Sequence, residues 1–162
     1  MTLYLLDANV LIRAHEDYYP IDRIPHFWRW LRQQCEDGRI KMPQPIYGEV
    51  APSSDLLGQW LRDPGVRDAI VLGERINAAH VQEVIDGGYA PDLNEVELEK
   101  LGQDPFLVAA ARSGADRVVV TRELSKPKAQ RANRKIPDVC AALGVRAMND
   151  FALYRELRFG IP

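Results

Sequence analysis

The chain has 162 residues, 46% hydrophobic and 27% charged, which is the balance of one soluble globular domain over 1–162 and excludes disorder and collagen-like order. Its 23 acids and 21 bases give a formal charge of −2, which argues against a generic nucleic-acid binder with a large positive excess. No apolar run approaches the roughly 20 residues of a membrane helix, and the first residues reach Asp7 without the basic lead-in of a signal peptide. Cys35 and Cys140 lack CxxC spacing and read as reduced core thiols, so a cytoplasmic protein without membrane contact is expected. His15, His26 and His80 are scattered and do not complete a structural zinc site.

Leu3 to Leu6 is a short apolar run that stops at Asp7 and predicts a buried strand. Residues 10 to 17 continue as a helix, capped by Asp7 or Asn9. Pro25 opens a second helix, with Trp28, Leu31 and Cys35 on one face and Gly38 as its stop. Ile40-Lys41-Met42 reads as a short strand. Pro45 opens a helix carrying Glu49, and Pro52 breaks it within two turns. Ser53-Ser54-Asp55 caps a segment with Leu56, Leu57, Trp60 and Leu61. Asp63-Pro64-Gly65 reads as a turn, and Ile70-Val71-Leu72 fits either a strand or the start of a helix. Residues 75 to 86 predict a helix that Gly87-Gly88 stops.

Asp92 to Leu101 is acidic and predicts a short, solvated helix. Asp104 and Pro105 start the next helix as cap and first-turn proline, and Gly114 ends it. Val118-Val119-Val120 is the clearest buried strand. Residues 124 to 135 lack apolar periodicity and read as a loop. Val145 to Met148 is a weaker last strand, followed by an amphipathic helix from Asp150 to Leu157. Strands alternating with helices predict an α/β fold with a parallel sheet.

In open parallel sheets, sites form at the carboxyl ends of the strands. Asp7 and Glu123 directly follow two of the strands, Asp104 begins the helix feeding one of them, and Glu49 lies on the helix after the second. All four are expected at one edge of the sheet. Carboxylates held close together repel unless a cation compensates, and oxygen donors without soft ligands suit Mg²⁺ or Mn²⁺. Taken singly, each acid has a plainer reading: Asp7 and Asp104 as helix caps, Glu49 as a surface acid, Glu123 as a turn residue. The ordered set carries more weight than its members.

Tyr4-Leu5-Leu6-Asp7-Ala8-Asn9-Val10-Leu11-Ile12 resembles the opening motif of PIN-domain nucleases. Glu49 matches the helix glutamate of that family. Asp104-Pro105-Phe106-Leu107-Val108-Ala109-Ala110-Ala111 is similar to its third acid and alanine-rich helix, and Val118-Val119-Val120-Thr121-Arg122-Glu123 to its last strand end. Tyr18-Tyr19-Pro20, Phe27-Trp28-Arg29-Trp30-Leu31 and Lys135-Ile136-Pro137-Asp138-Val139-Cys140 resemble a prokaryotic branch of that family. The resemblance spans about residues 3 to 150. It departs from the commonest pattern in having Glu123 for Asp, Pro52 in the Glu49 helix, and a long insert after Glu123. The insert leaves open whether Glu123 or Asp138 completes the site.

The resemblance implies a three-layer sandwich with a central parallel sheet and a Mg²⁺- or Mn²⁺-dependent endoribonuclease leaving 5′-phosphate and 3′-hydroxyl ends. It also implies a VapC-like toxin with a small antitoxin partner, and a homodimer; Trp30, expected to be exposed, would contribute to its interface. Asp7 and Asp104 would be the main ion ligands and Glu49 and Glu123 would complete the site. Asn9 and Thr121 would orient ligands or water.

The insert at 124–135 lies in a basic segment with Arg122, Lys126, Lys128, Arg131, Arg134 and Lys135 against one acid, a net of +5. Its position beside Glu123 suggests contact with RNA phosphates, against the alternative of a merely solvated loop. Tyr18, Tyr19, Trp28 and Trp30 fit helix packing better than base stacking. Two rival functions are a non-catalytic PIN-like module that binds RNA or assembles with partners, and a haloacid-dehalogenase-type phosphatase. The latter wants a second acid where this chain has Asn9.

Overall fold

The computed structural model describes residues 1–162. Four short strands form one all-parallel sheet: β1 (Leu3–Leu6), β2 (Ile40–Lys41), β3 (Arg117–Val120) and β4 (Arg146–Met148), in the order β2-β1-β3-β4. β1 and β3 pair residue for residue from Leu3 opposite Arg117 to Leu6 opposite Val120. Apart from Arg117 at the start of β3, both central strands are apolar, because a parallel sheet is covered on its two faces. Flanking helices make this an α/β three-layer sandwich, PIN-like in architecture. One cluster of 41 buried residues runs through the sheet and its helices, so the molecule has a single core. None of the helices is long and apolar enough to cross a membrane.

The chain enters α1 (Ala8–Arg13) directly from β1, with Asp7 as cap, and the helix widens into a π-turn over Ala14–Tyr18. Helix α2 (Pro25–Glu36) starts at its proline and buries Phe27, Trp28, Leu31 and Cys35. Helix α3 (Gln44–Val50) ends two residues before Pro52, and α4 (Leu56–Arg62) is capped by Asp55, which accepts from the Gly58 amide at 3.0 Å.

Asp63-Pro64-Gly65 is not a free turn. Asp63 accepts from the Gly65 and Val66 amides and caps α5 (Pro64–Ile70), because Asp-Pro suits the cap and first position of a helix as well as it suits a turn. Val71 then forms a parallel bridge with Met42 beside β2, so the ambiguous 70–72 run is a helix end followed by a sheet-edge contact.

Helix α6 (Ala78–Val84) does not stop at Gly87-Gly88. It runs on as a π-turn over Ile85–Tyr89, closed by the Ala90 amide reaching back to the Ile85 carbonyl at 3.0 Å. The glycines serve close packing here: a Cβ on Gly88 would lie 2.6 Å from Val139 Cγ1. Helix α7 (Glu95–Leu101) opens with a capping box between Asn94 and Glu97. Asp104 is the first residue of α8 (Asp104–Arg112), and Gln103 occupies the cap position.

The segment after the basic loop contains a helix that periodicity did not predict, α9 (Ile136–Ala142). It is short and carries proline at its second position, yet Ile136, Val139 and Cys140 are buried. Helix α10 (Asp150–Glu156) closes the fold. Cys35 and Cys140 are buried and unpaired.

The aromatics work as packing. Trp28 donates to the Tyr19 carbonyl at 2.6 Å and meets Trp60 edge-on at 4.9 Å. Trp30 is packed within its own chain, 4.9 Å from Phe159 and 5.9 Å from Tyr154. The strand order changes direction between β1, which continues to β2 on one side, and β3, which continues to β4 on the other. A crevice opens at the carboxyl ends of strands at such a switch point. Asp7 and Glu123 stand on either side of it.

Candidate active site

Asp7 follows β1 at the point where the ladder is still intact: its amide donates to the Val120 carbonyl at 2.9 Å. The side chain is 6% exposed. One oxygen accepts from the Ala8 amide at 2.8 Å and the other from the Thr121 hydroxyl at 2.8 Å. Thr121 sits just past β3, and its Oγ1 also accepts from the Glu123 amide at 3.1 Å. Asn9 donates to Thr121 Oγ1 at 3.4 Å, and its own Oδ1 accepts from the Arg122 amide at 3.0 Å. Asn9 and Thr121 thus lock the two strand ends together and fix how Asp7 points.

Asp104 starts α8 facing the same crevice, and Glu123 reaches it from the far side. One Glu123 oxygen accepts from the Ile136 amide at 2.7 Å, at the start of α9. The four acids feel one another. Burial pushes the Asp7 carboxyl up to about 6, opposed by the Thr121 hydrogen bond and reinforced by the charges of Glu123 and Glu49. Burial lifts Asp104 further, to about 8, with repulsion from Asp7, Glu123 and Glu49 adding to it and Lys135 opposing it. Glu49 is raised by partial burial and held back by the Gln103 backbone amide. It lies at the margin of the group, on a separate hollow with His15 and Asp55.

None of the four acids forms an ion pair with a lysine or arginine. Asp150, at the same edge and fully buried, shows the contrast: Arg122 lies 2.9 Å from it. The chain neutralises the buried acid it uses for structure and leaves Asp7 and Asp104 uncompensated.

A cavity of about 330 Å³ opens over Asp104 and Glu123, lined also by Tyr89, Lys100, Lys126 and Lys135. The loop therefore does face the acids, but only some of its bases are available. Arg122 is occupied by Asp150, donates to the Tyr18 hydroxyl at 3.0 Å, and lies over the Tyr18 and Phe151 rings. Arg131 is clamped between Asp92 and Glu97 at 2.8 and 2.9 Å. Arg134 donates to the Gly88 and Asp138 carbonyls. These three bases shape the loop; Lys126, Lys128 and Lys135 have no protein partner.

Asp138 does not join the acid group. Its oxygens accept from the Ser125 hydroxyl and, at 2.8 Å, from the Lys126 amide, and these hydrogen bonds hold its carboxyl below the usual range. It ties the loop to α9, while Glu123 is the acid coupled to Asp7 and Asp104. Tyr89 and Lys100 are cavity residues that sequence reasoning missed. Gly87-Gly88 read as a stop signal, and the lysine of an acidic helix gave no sign of pointing elsewhere.

The donor set fits a hard divalent cation: oxygen donors, led by the Asp104 and Glu123 carboxylates, with no thiol or imidazole lining the cavity. No three His, Cys, Asp or Glu side chains stand close enough together to enclose an ion. Mg²⁺ is commonly bound through one or two carboxylates while it keeps several of its waters. Asp7 and Asp104, with Glu123 beside them, are the residues that could hold such an ion.

No curated protein matches the chain. A family described as a domain of unknown function, DUF4411, matches residues 4–161, and the chain belongs to that family.

Proposed function

We propose that this protein is a divalent-cation-dependent endoribonuclease of the PIN kind, acting as a VapC-like toxin with a small antitoxin partner. The observation that carries the reading is that Asp7 and Asp104 are inward-facing carboxyls without an ion-pair partner. Burying carboxylates without a cation costs stability, and the same chain pairs Asp150 with Arg122 nearby. A bound Mg²⁺ or Mn²⁺ would offset that charge, polarise a phosphodiester and make water a competent nucleophile.

The protein's own groups supply the positioning. Thr121 and the Ala8 amide hold Asp7 in one rotamer. Glu123 is anchored through Oε2, and Oε1 has no protein partner with which to compete against an incoming water or phosphate. Lys126 and Lys135 on the cavity wall attract the phosphates of a strand laid across the crevice. A phosphatase of the haloacid-dehalogenase type is disfavoured, because Asn9 occupies the second-acid position and both ends of its amide are tied to the strand ends. A non-catalytic module has no use for the unpaired acids. The toxin assignment, the antitoxin and the homodimer rest on the resemblance of the four motifs to that family.

The test is an RNA cleavage assay with Mn²⁺, with and without chelator. Cleavage is expected, abolished by chelation and reduced on the order of 100-fold or more by Asp7→Asn or Asp104→Asn. Absence of cleavage, or full activity in both variants, overturns the reading.

A further inference from the structure

Two side chains lining the cavity have no hydrogen-bond partner in the protein. The Tyr89 hydroxyl is buried with no hydrogen-bond partner, and the residue is 7% exposed. Such a group costs stability unless another state of the molecule satisfies it. Asp104 is the complementary case. Asp7 receives two orienting hydrogen bonds and Glu123 one, whereas the Asp104 carboxylate accepts none. Both residues line the same cavity. The charge of Asp104 acts on the Tyr89 phenol more strongly than that of any other residue, followed by Glu123.

The local fold holds Tyr89 where it is. The π-turn over Ile85–Tyr89 takes Tyr89 off the register an α-helix would give it, a device often found at functional sites. Its backbone is fixed from two sides: Gly88 lies against Val139 and Leu143 of the α9 segment, and the Gly88 carbonyl accepts from Arg134. Helix packing alone would be served by phenylalanine, without the unsatisfied hydroxyl.

We propose that Tyr89 is a positioning residue for Asp104: with a divalent cation bound, the Tyr89 hydroxyl would donate to the Asp104 carboxylate and hold it in place. This rests on the cation-dependent reading above. Thr121 already does the same for Asp7, so each main carboxylate has one hydroxyl donor. A hydrogen bond to an ionised carboxylate is stronger than one between neutral groups, and losing the donor behind a metal ligand typically lowers metal affinity 10- to 100-fold.

The experiment is Mn²⁺ titration calorimetry of the wild type and Tyr89→Phe at one pH, with melting of the ion-free proteins. Tyr89→Phe is expected to weaken Mn²⁺ binding about 10-fold or more while leaving ion-free melting unchanged or slightly raised, since it removes an unsatisfied buried group. A residue that only packs would show no change in Mn²⁺ affinity. As a second readout, the ring Cζ resonance of ¹³C-labelled Tyr89 is expected to shift on Mg²⁺ addition and to saturate with the binding isotherm. Equal Mn²⁺ affinity in the variant, or a static Tyr89 resonance, overturns the proposal. If the wild type binds Mn²⁺ and cleaves RNA while Tyr89→Phe binds equally well, the proposal fails and the nuclease reading stands. If the wild type neither binds the ion nor cleaves, both fall.

Discussion

At the scale of single residues, Asp104 sets the pH behaviour of the ion-free protein. Its carboxyl titrates near 8 in the fold, against about 4 in an unfolded chain. A folded pKa above the unfolded one means that the native state holds the proton more tightly. The associated stability is fully present below about pH 4 and is lost as pH rises through 8. Asp7, raised to about 6, adds a smaller contribution of the same sign, lost between about 4 and 6. Asn mimics the protonated acid, so ion-free Asp104→Asn is expected to match the wild type at pH 4 and to exceed it by up to about 5 kcal/mol at pH 8. Saturating Mn²⁺ reverses the order, because only the wild type gains binding energy. Melting curves of both proteins at several pH values, with chelator or Mn²⁺, check both directions. A pH-independent difference without metal rules out Asp104 as the strained group.

At the scale of elements, the strand ends and the acids beyond them were legible because each signal is local. Leu3–Leu6 and Val118–Val120 are apolar runs with an abrupt polar stop, and Pro52 breaks its helix whatever surrounds it. What was not legible depends on partners distant in sequence. Gly87-Gly88 looks like a helix stop until α9, some fifty residues on, packs against it. Helix α9 itself is seven residues long and is stabilised by burial of Ile136, Val139 and Cys140 more than by its own pattern. Asp138 looked like a candidate ligand because spacing cannot show that Ser125 and Lys126 already occupy it. The same dependence makes Gly88 testable. A Cβ there meets Val139 at 2.6 Å and Leu143 at 3.1 Å, so Gly88→Ala is expected to cost about 1–3 kcal/mol in chemical denaturation. Gly73→Ala, with no atom within 4 Å of the added Cβ, is expected within about 0.5 kcal/mol of the wild type. Equal stability of the two variants would show that the π-turn and α9 are not closely packed.

At the scale of the whole molecule, a charge of −2 describes neither face of the site. Uncompensated acids lie at the carboxyl edge of the sheet, and across the cavity stands a loop whose apparent +5 overstates what an RNA strand would meet. Arg122, Arg131 and Arg134 are committed to Asp150, to Asp92 and Glu97, and to backbone carbonyls. Arg131 holds a left-handed backbone, φ 55°, at the start of a short turn, which its ion pairs help to offset. The uncommitted positive charge is therefore Lys126, Lys128 and Lys135. Each phosphate neutralised on a single strand contributes about 0.7 to the salt slope of binding. Replacing all three lysines by glutamine is expected to flatten the slope by about 2, read by anisotropy of a labelled RNA oligomer in Asp7→Asn protein with Mg²⁺. Arg131→Gln should leave the slope nearly unchanged and lower the melting temperature instead, because it breaks the clamp to α7. If the lysine variant keeps the wild-type slope, the loop is a solvated surface and the strand is guided by other groups. If Arg131→Gln alone flattens it, the ion pairs with Asp92 and Glu97 open on RNA binding and the loop rearranges around the strand.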